Sequence, residues 1–551
     1  MSIRAIIARP LARLGGSCLA LASLAGMAAA QLGPGQVLLV YDSRSSDSKL
    51  VAEHYAGSAR VPGGIGGIKG KYPVTVLDLA STGVPLSPVG NITYANFVSN
   101  IRTPIRSYLT ANALQKRIRV IVTTKGMPHR IQDTDLPNAG DNPNDQANEL
   151  NASDATCASV DSELTLLYQN LNTGENGNAG DSKSDGCVAN PFWKSTLPLA
   201  AYPTTNIIAQ KTFSRPTGFP AGILWTIAGS GASKLTAGDI YLVSRLDGKT
   251  VADVKAMIDR GGNIVINTNT ASMVFDEANS TIASNGVADA TSDNGEWDND
   301  SLSAGILWAG DDFEKTRDLV QADGRYLPAK IRYNAASGVS NFIVGPLINY
   351  QGQGILVSDP VIFLSSWGSN CGAQATQPQT AAGVNAGQNY TKSFNLARGA
   401  CFTSVESYNA RDFGGYGSWF GGWGPQAQIS DFIEAGGTFA VGNCWEPFTF
   451  GLPDNEWIVR NFYLGNMTWV EAAWSAIPCL SWQTIVVGDP LATVQRTCED
   501  VNNDGKVDIE DVIRWEQNPT DINRDGLANA TDKLMIETSA RWTENSFIRD
   551  R

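Results

Sequence analysis

Two stretches near the carboxyl end carry oxygen donors at spacings that suit a hard cation. Residues 500–511 read D-V-N-N-D-G-K-V-D-I-E-D, which puts side-chain oxygens at loop positions 1, 3, 5, 9 and 12 and Gly505 at position 6. Ca²⁺ takes about six to eight oxygen ligands, and a glycine at position 6 allows the sharp turn that gathers them. Asp500, Asn502, Asp504, Asp508 and Asp511 are therefore the expected side-chain ligands, with Lys506 contributing its carbonyl. Residues 521–532, D-I-N-R-D-G-L-A-N-A-T-D, repeat the order with Asp521, Asn523, Asp525, Asn529 and Asp532, and Leu527 as the carbonyl donor. One such stretch could be an Asp-rich turn. Two complete copies predict two calcium ions. The acidic run from Asp293 to Asp300 lacks this ligand order and reads as a solvated loop.

Asp at position 12, the pairing of the loops and their place at the end of the chain resemble a type I dockerin over residues 498–542, followed by a polar tail, 543–551. The resemblance implies a small helical module folded by calcium that docks onto a cohesin-like partner. Its contact positions would be Ile509, Glu510, Ala530 and Thr531. The segment from Val512 to Thr520, with Pro519, is shorter than the family's first helix and linker.

The rest of the chain must position and deliver this module. Arg4, Arg9 and Arg13 precede an apolar run from Leu14 to Ala25 and the small residues Ala28, Ala29 and Ala30, so residues 1–30 are expected to be a secretory signal peptide. The sequence predicts a protein that is secreted, or held in the periplasm or at the cell surface. Loss of that segment removes three basic residues and no acidic ones, moving the net charge from -13 to -16. So acidic a chain, without a basic patch, is not expected to bind nucleic acid. No later stretch has the roughly 20 apolar residues of a membrane span. Seven cysteines remain, and an oxidising compartment predicts disulfides with one thiol left over. Cys157 with Cys187, Cys371 with Cys401 and Cys444 with Cys479 are the economical pairings.

From residue 31 to 497 the sequence alternates short apolar runs with amphipathic stretches. Val37 to Tyr41, Val74 to Leu77, Arg119 to Thr124, Ile240 to Val243, Asn263 to Asn267, Ile306 to Trp308, Val361 to Leu364, Thr438 to Val441 and Thr484 to Val487 read as strands. Helical patterns follow Leu50, Tyr94 and Val251, so the fold class is α/β with a mostly parallel sheet. Residues 133–200, rich in Asn, Asp, Gly and Ser, read as a loop-rich insertion outside the core.

V-Y-D-S-R-S-S-D-S-K-L-V-A-E-H-Y-A (40–56), T-T-K-G-M-P-H-R-I (123–131), A-S-V-D-S-E-L (158–164), G-G-T-F-A-V-G-N-C-W-E-P (436–447) and V-V-G-D-P-L (486–491) resemble an exported bacterial family of exosortase-encoding species. The closing strand, helix and strand also resemble gingipain-type cysteine peptidases with a caspase-like sheet. That resemblance implies a His after one strand, within Ser366 to Asn370, and a Cys after the next, around Ser407. Neither residue type is there, and without a base a serine is a weak nucleophile. His129 follows a strand and is the better placed of the two histidines; His54 lies on an apolar helical stripe. Asp42, Lys125, Arg130, Arg245, Asp247, Trp367, Asn370, Cys444, Glu446 and Asp489 also lie near predicted strand ends, where α/β sheets collect ligands. Asp247 and Glu446 are a candidate acid and base for glycoside hydrolysis. The expectation is a calcium-binding docking protein that binds cell-surface polysaccharide or peptide rather than cutting it. A secreted hydrolase, glycosidase or peptidase, is the alternative.

Overall fold

Apolar, β-branched runs build the strands, and their full burial requires cover on both faces. The strands used below are β1 Val37–Tyr41, β2 Thr75–Asp78, β3 Val120–Thr124, β4 Leu242–Leu246, β5 Asn263–Asn267, β6 Ser272–Asp276, β7 Ile331–Asn334, β8 Val361–Trp367, β9 Leu396–Val405, β10 Phe439–Asn443, β11 Thr484–Val487 and β12 Thr493–Thr497. The helices are α1 Ser46–Ala56, α2 Thr103–Ala111, α3 Val160–Thr165, α4 Val251–Arg260, α5 Phe313–Asp323, α6 Ile429–Glu434, α7 Trp469–Ser475, α8 Ile509–Gln517 and α9 Ala530–Arg549. The structure, a computed structural model, describes residues 31–87, 90–132, 158–169, 188–204, 213–214, 226–227, 235–276, 313–334, 342–367, 390–406, 408–414, 428–445, 447, 451–504 and 506–549. The signal segment, the strand expected at Ile306 to Trp308 and the acidic run 293–300 lie outside them.

One ten-stranded sheet has the order β7-β6-β8-β9-β10-β11-β4-β3-β1-β2. Neighbours are parallel except at the centre, where β10 and β11 pair antiparallel, Ala440 with Val487 and Asn443 with Thr484. Two parallel half-sheets therefore run in opposite directions, and the carboxyl ends of one half emerge at the edge where the other half begins. β1, β3, β4 and β10 are buried at every residue, as expected for parallel strands with both faces covered. β5, expected in the sheet, instead pairs with β12 in a separate parallel ribbon, Asn263 with Thr493 through Asn267 with Thr497.

Local signals start and stop the helices. Ser45 caps α1 by accepting from the Ser48 N–H, and Thr250 with Asp253 forms a reciprocal cap on α4. Thr468 and Glu471 do the same for α7, whose Trp469 and Trp474 are fully buried and donate to the carbonyls of Val487 (3.0 Å) and Val243 (2.8 Å). α1, α4 and α6 pack side by side, while α3 and α7 both pack on β4 and β11. Among the described residues, one large core of buried side chains runs from Leu32 to Val494. Val507, Val512, Trp515, Ile522 and Ile536 form a second, small core. No helix among the described residues is long and apolar enough to cross a membrane.

Two expectations are corrected here. The region 133–200 is not wholly outside the core: every residue from Ala158 to Leu167 is buried, as are Phe192 and Leu199, because α3 covers the middle of the sheet. Two of the three expected disulfides also fail. Cys401, Cys444 and Cys498 are free thiols, so Cys401 does not pair with Cys371, nor Cys444 with Cys479. Cys401 and Cys444 serve as buried apolar residues of the strands, burial raising both thiol pKa values. Cys479 is disulfide-bonded to a cysteine outside the described residues, where Cys157 and Cys187 also lie.

Gly488 closes β11 at the junction of the halves with φ +131°, and a methyl group there would lie 2.5 Å from the Phe439 ring. Gly488→Ala should lower stability by about 2 kcal/mol or more, read as a reduced urea midpoint at unchanged slope.

Candidate functional site

The residues expected near strand ends are divided by the opposed half-sheets. Asp42, Lys125, Asp247 and Asp489 follow β1, β3, β4 and β11 at one edge, whereas Asp276, Trp367, Glu406 and Cys444 stand at the other. The segments after β9 and β10 nevertheless bridge the two edges: Lys125 donates to the Phe413 carbonyl, His129 lies against the Arg411 carbonyl and Arg130 stacks on Trp445.

On the β4 side, Arg245 is the hub. Its Nε lies 2.6 Å from Asp161 Oδ2, its Nη2 3.0 Å from Asp161 Oδ1, and its Nη1 3.3 Å from Asp247 Oδ2. The guanidinium also donates to the carbonyls of Met127 and Pro128, and Thr123 donates to Asp161. Lys125 stands 3.5 Å from Asp247 and donates to the carbonyls of Gly248 and Phe413. Arg245, Asp161 and Asp247 have no exposed surface. Burial pushes the Asp247 carboxyl pKa up, and the Lys125 and Arg245 charges oppose that rise. Asp161, the second residue of α3 and two residues after the capping Ser159, had no role assigned from the sequence.

His129 is also sealed. Its Nε2 lies 3.0 Å from the Arg411 carbonyl and its ring meets Phe413 edge-on at 5.0 Å. Arg130 is buried with its guanidinium 5.2 Å from the Trp445 ring centroid. Asp489 is held by the hydroxyls of Tyr55 and Tyr72, at 3.1 and 2.9 Å, and by Lys71 at 3.0 Å. Asp42 pairs with Arg44 at 2.6 Å, and His54 with Asp259 at 2.7 Å between α1 and α4. These groups are positioned as structural polar pairs. The proposed glycosidase pair does not assemble from the described residues: Asp247 is enclosed between two cations, and Glu446 lies outside the described residues.

At the opposite edge, β8 and β9 are adjacent and parallel, with Ser366 level with Ser404 and Trp367 with Val405. Ser407 and Asn370 lie outside the described residues. Ser404 Oγ donates to Glu406 Oε2 at 3.0 Å and accepts from Asn409 Nδ2 at 2.9 Å, and Asn409 Oδ1 in turn accepts from the Asn443 N–H. Asp276 accepts from Asn334 Nδ2 and the Ile343 N–H, and the Tyr390 hydroxyl lies 3.4 Å from it. The sequence reading missed Asp276, Tyr390 and Glu406, because nothing local tells a buried strand-end acid from a cap.

The duplicated stretches have duplicated geometry. In the first, Asp500 Oδ1 and Asn502 Oδ1 accept from the Asp504 N–H (3.2 and 2.9 Å), and Asp504 Oδ1 accepts from the Lys506 N–H (2.9 Å). In the second, Asp521 Oδ1 and Asn523 Oδ1 accept from the Asp525 N–H at the same 3.2 and 2.9 Å, and Asp525 Oδ1 from Leu527 at 2.9 Å. Position 4 is left-handed in both, Asn503 at φ 61° and Arg524 at φ 62°, and Gly526 at position 6 has φ 92°. Asp508 and Asn529 at position 9 cap α8 and the start of α9, and Asp511 and Asp532 at position 12 fold back onto loop amides.

Asp511 and Asp532 are completely buried. Burial raises the Asp511 carboxyl, aided by the Asp504 charge. At Asp532 burial is outweighed by the amides of Asn529, Asn523 and Ile522, which hold the carboxyl below its usual range. The module's ion pairs among the described residues join Lys533 to Glu516 and Glu537, and none involves Asp504, Asp508, Asp511, Asp521, Asp525 or Asp532. Among the described residues, no group of three His, Cys, Asp or Glu side chains is placed to hold a metal by itself. The loops' donor set is broader, since it includes Asn502, Asn523, Asn529 and two carbonyls. Asp532 Oδ1 accepts from both the Ile522 and Asn523 amides, at 2.7 and 3.0 Å, and the set as a whole consists of the hard oxygen donors that suit such a cation. No protein-family profile, curated protein or solved structure matches the chain.

Two tests follow from the buried network. Arg245→Met leaves Asp161 and Asp247 buried with less compensation and should cost about 3–5 kcal/mol in urea unfolding; a change under about 1 kcal/mol would show that the pair is not the hub. Burial, with the Arg130, Arg245 and Lys125 charges, holds the His129 pKa well below its usual value, against the Arg411 carbonyl. The folded ring stays neutral while the unfolded ring takes a proton below about pH 6.5, so stability is lost as pH falls. His129→Gln should flatten that dependence between pH 6.5 and 5 by up to about 1.4 kcal/mol per pH unit; equal slopes would place a proton on the folded ring.

Proposed function

We propose that the chain is an exported docking protein whose C-terminal, dockerin-like module is organised by two Ca²⁺ ions, and whose gingipain-like sheet domain binds rather than cleaves. The observation that carries this reading is the repeated loop geometry, matched position for position at residues 1, 3, 4, 5 and 7 of each loop. Asp500, Asn502, Asp504, Lys506, Asp508 and Asp511 would hold one ion, and Asp521, Asn523, Asp525, Leu527, Asn529 and Asp532 the other. A bound ion neutralises the clustered carboxylates and fixes each loop.

The docking face follows from what the fold leaves open. Ile509, Glu510, Ala530 and Thr531, the contact positions that the dockerin resemblance implies, are all exposed. Ile509 is 56% exposed, and Ile513, one turn along α8, is 48% exposed. Exposed aliphatic residues at helical spacing suit a cohesin-like partner. In the sheet domain, His129, Asp247 and Cys444 are sealed, which supports binding of polysaccharide or peptide at the surface over hydrolysis by those groups. The hydrolase alternative rests on the Ser404 and Glu406 contact at the end of β9.

Calorimetry of the mature chain should register two Ca²⁺ per chain. Asp500→Ala and Asp521→Ala should each remove one, and Ca²⁺ should raise the melting temperature. Absence of binding up to about 5 mM Ca²⁺, beyond the weakest class of such loops, would sink the reading. Turnover on peptide or glycan substrates that Ser404→Ala abolishes with folding intact would establish the alternative.

A further inference from the structure

The module is not free of the sheet domain. β12 pairs with β5 along its length, the Thr268 N–H donates to the Thr497 carbonyl at 2.8 Å, and Val265 packs against the module's core beside Cys498 and Val501. Side-chain contacts to this domain come from equivalent positions of the two loops. At position 4 of the first, Asn503 Oδ1 accepts from Thr270 Oγ1 at 2.5 Å; at position 4 of the second, Arg524 reaches the same turn. Arg524 Nε lies 2.7 Å from Asn269 Oδ1, and its terminal nitrogens donate to Thr268 Oγ1 at 3.3 Å and to the carbonyls of Gly324 and Arg325. Asn267 Nδ2 donates to the Asp500 carbonyl, and Asn269 Nδ2 to that of Ile522 at 3.4 Å. Behind these contacts lies a cavity of about 510 Å³, with Arg514, Asn518 and Cys498 in its wall.

We propose that position 4 of each loop is a latch: the module docks onto its own sheet domain at residues 267–270 and 324–325 through Asn503 and Arg524, and cation occupancy of the loops closes this seam. The inference rests on the calcium reading above and adds a second, intramolecular surface to it. Asn503 and Arg524 each stand between the position-3 and position-5 ligands of their own loop. Left-handed backbone is costly for both residue types, arginine more so than asparagine. An ion that ties positions 3 and 5 together holds that conformation and pays the ordering entropy of the intervening residue. The latch side chain then docks at lower cost. By reciprocity, the docked seam raises the affinity of the loops for the ion. Two faces of one module thereby have different tasks, the loop turns gripping the parent domain and the α8 face remaining open to a partner.

The test follows amide hydrogen exchange of the full mature chain with and without Ca²⁺, beside calorimetric stoichiometry. Ca²⁺ should slow exchange across residues 263–270 about tenfold, within the usual range of such couplings. Arg524→Asn keeps a residue tolerant of left-handed backbone, as at Asn503, and removes the guanidinium; Asn269→Ala removes its acceptor from the other side of the seam. Either should abolish the protection while two ions still bind, with affinity reduced about fivefold or more. Binding of two ions without any change at 263–270, or protection unaltered in both variants, overturns the latch and leaves the calcium reading standing. No binding at all overturns both.

Discussion

The antiparallel pairing of Ala440 with Val487 and Asn443 with Thr484 decides which strand ends of this protein lie at the same edge of the sheet. Parallel strands gather their carboxyl ends on one side, where helix starts, loop amides and strand-end side chains make a crevice. Reversing direction once, at the middle of ten strands, splits that resource between two edges. One edge then holds Lys125, Asp247 and Asp489, the other Asp276, Glu406 and Cys444, with the chain after β9 crossing between them to Lys125 and His129. Close packing makes the junction intolerant: Phe439 lies over Gly488, and Trp469 spans from α7 to the end of β11.

Burial of Arg245 illustrates what the sheet domain does with its charges. A guanidinium and two carboxylates removed from water cost several kcal/mol each unless their hydrogen bonds are satisfied. Here they are shared among Asp161, Asp247, Lys125, Thr123 and two carbonyls. The arrangement ties β3, β4, the turn after β3 and α3 into one body. It also encloses the Asp247 carboxylate, and the His129 imidazole is buried nearby. The network fixes four chain segments relative to one another.

The small module reverses that balance. Its carboxylates are concentrated where few cations face them, and its apolar core is only a handful of side chains. A unit of this size needs an additional source of stability, which a metal or a neighbouring domain can supply. The neighbouring domain lies against it. Its loops have the donor set for a hard cation, and its position-4 residues lie against the 267–270 turn. Placement of Val265 from the β5 ribbon beside its core shows how closely the two parts are joined.

Local order was legible in the residues. Apolar runs at Val37 to Tyr41, Arg119 to Thr124 and Thr484 to Val487 are strands because they satisfy short-range rules, and the spacing of Asp, Asn and Gly defines both loops for the same reason. The α/β class follows from their alternation. What pairs with what was not legible, because contacts such as Arg245 with Asp161 and Arg524 with Asn269 join residues 84 and 255 positions apart. The buried helix at Val160 lay inside a polar stretch whose composition suggests a surface loop, and the free thiols of Cys401 and Cys444 depend on what surrounds them. The β5 ribbon reads as any other strand until its partner is known. The sequence by itself determined the elements, the fold class and the oxygen-rich loops, since these arise from interactions within a few residues. Only the tertiary structure decided the reversal of the sheet, the sealing of His129 and Asp247 and the seating of the module, since each depends on which distant surfaces exclude water together.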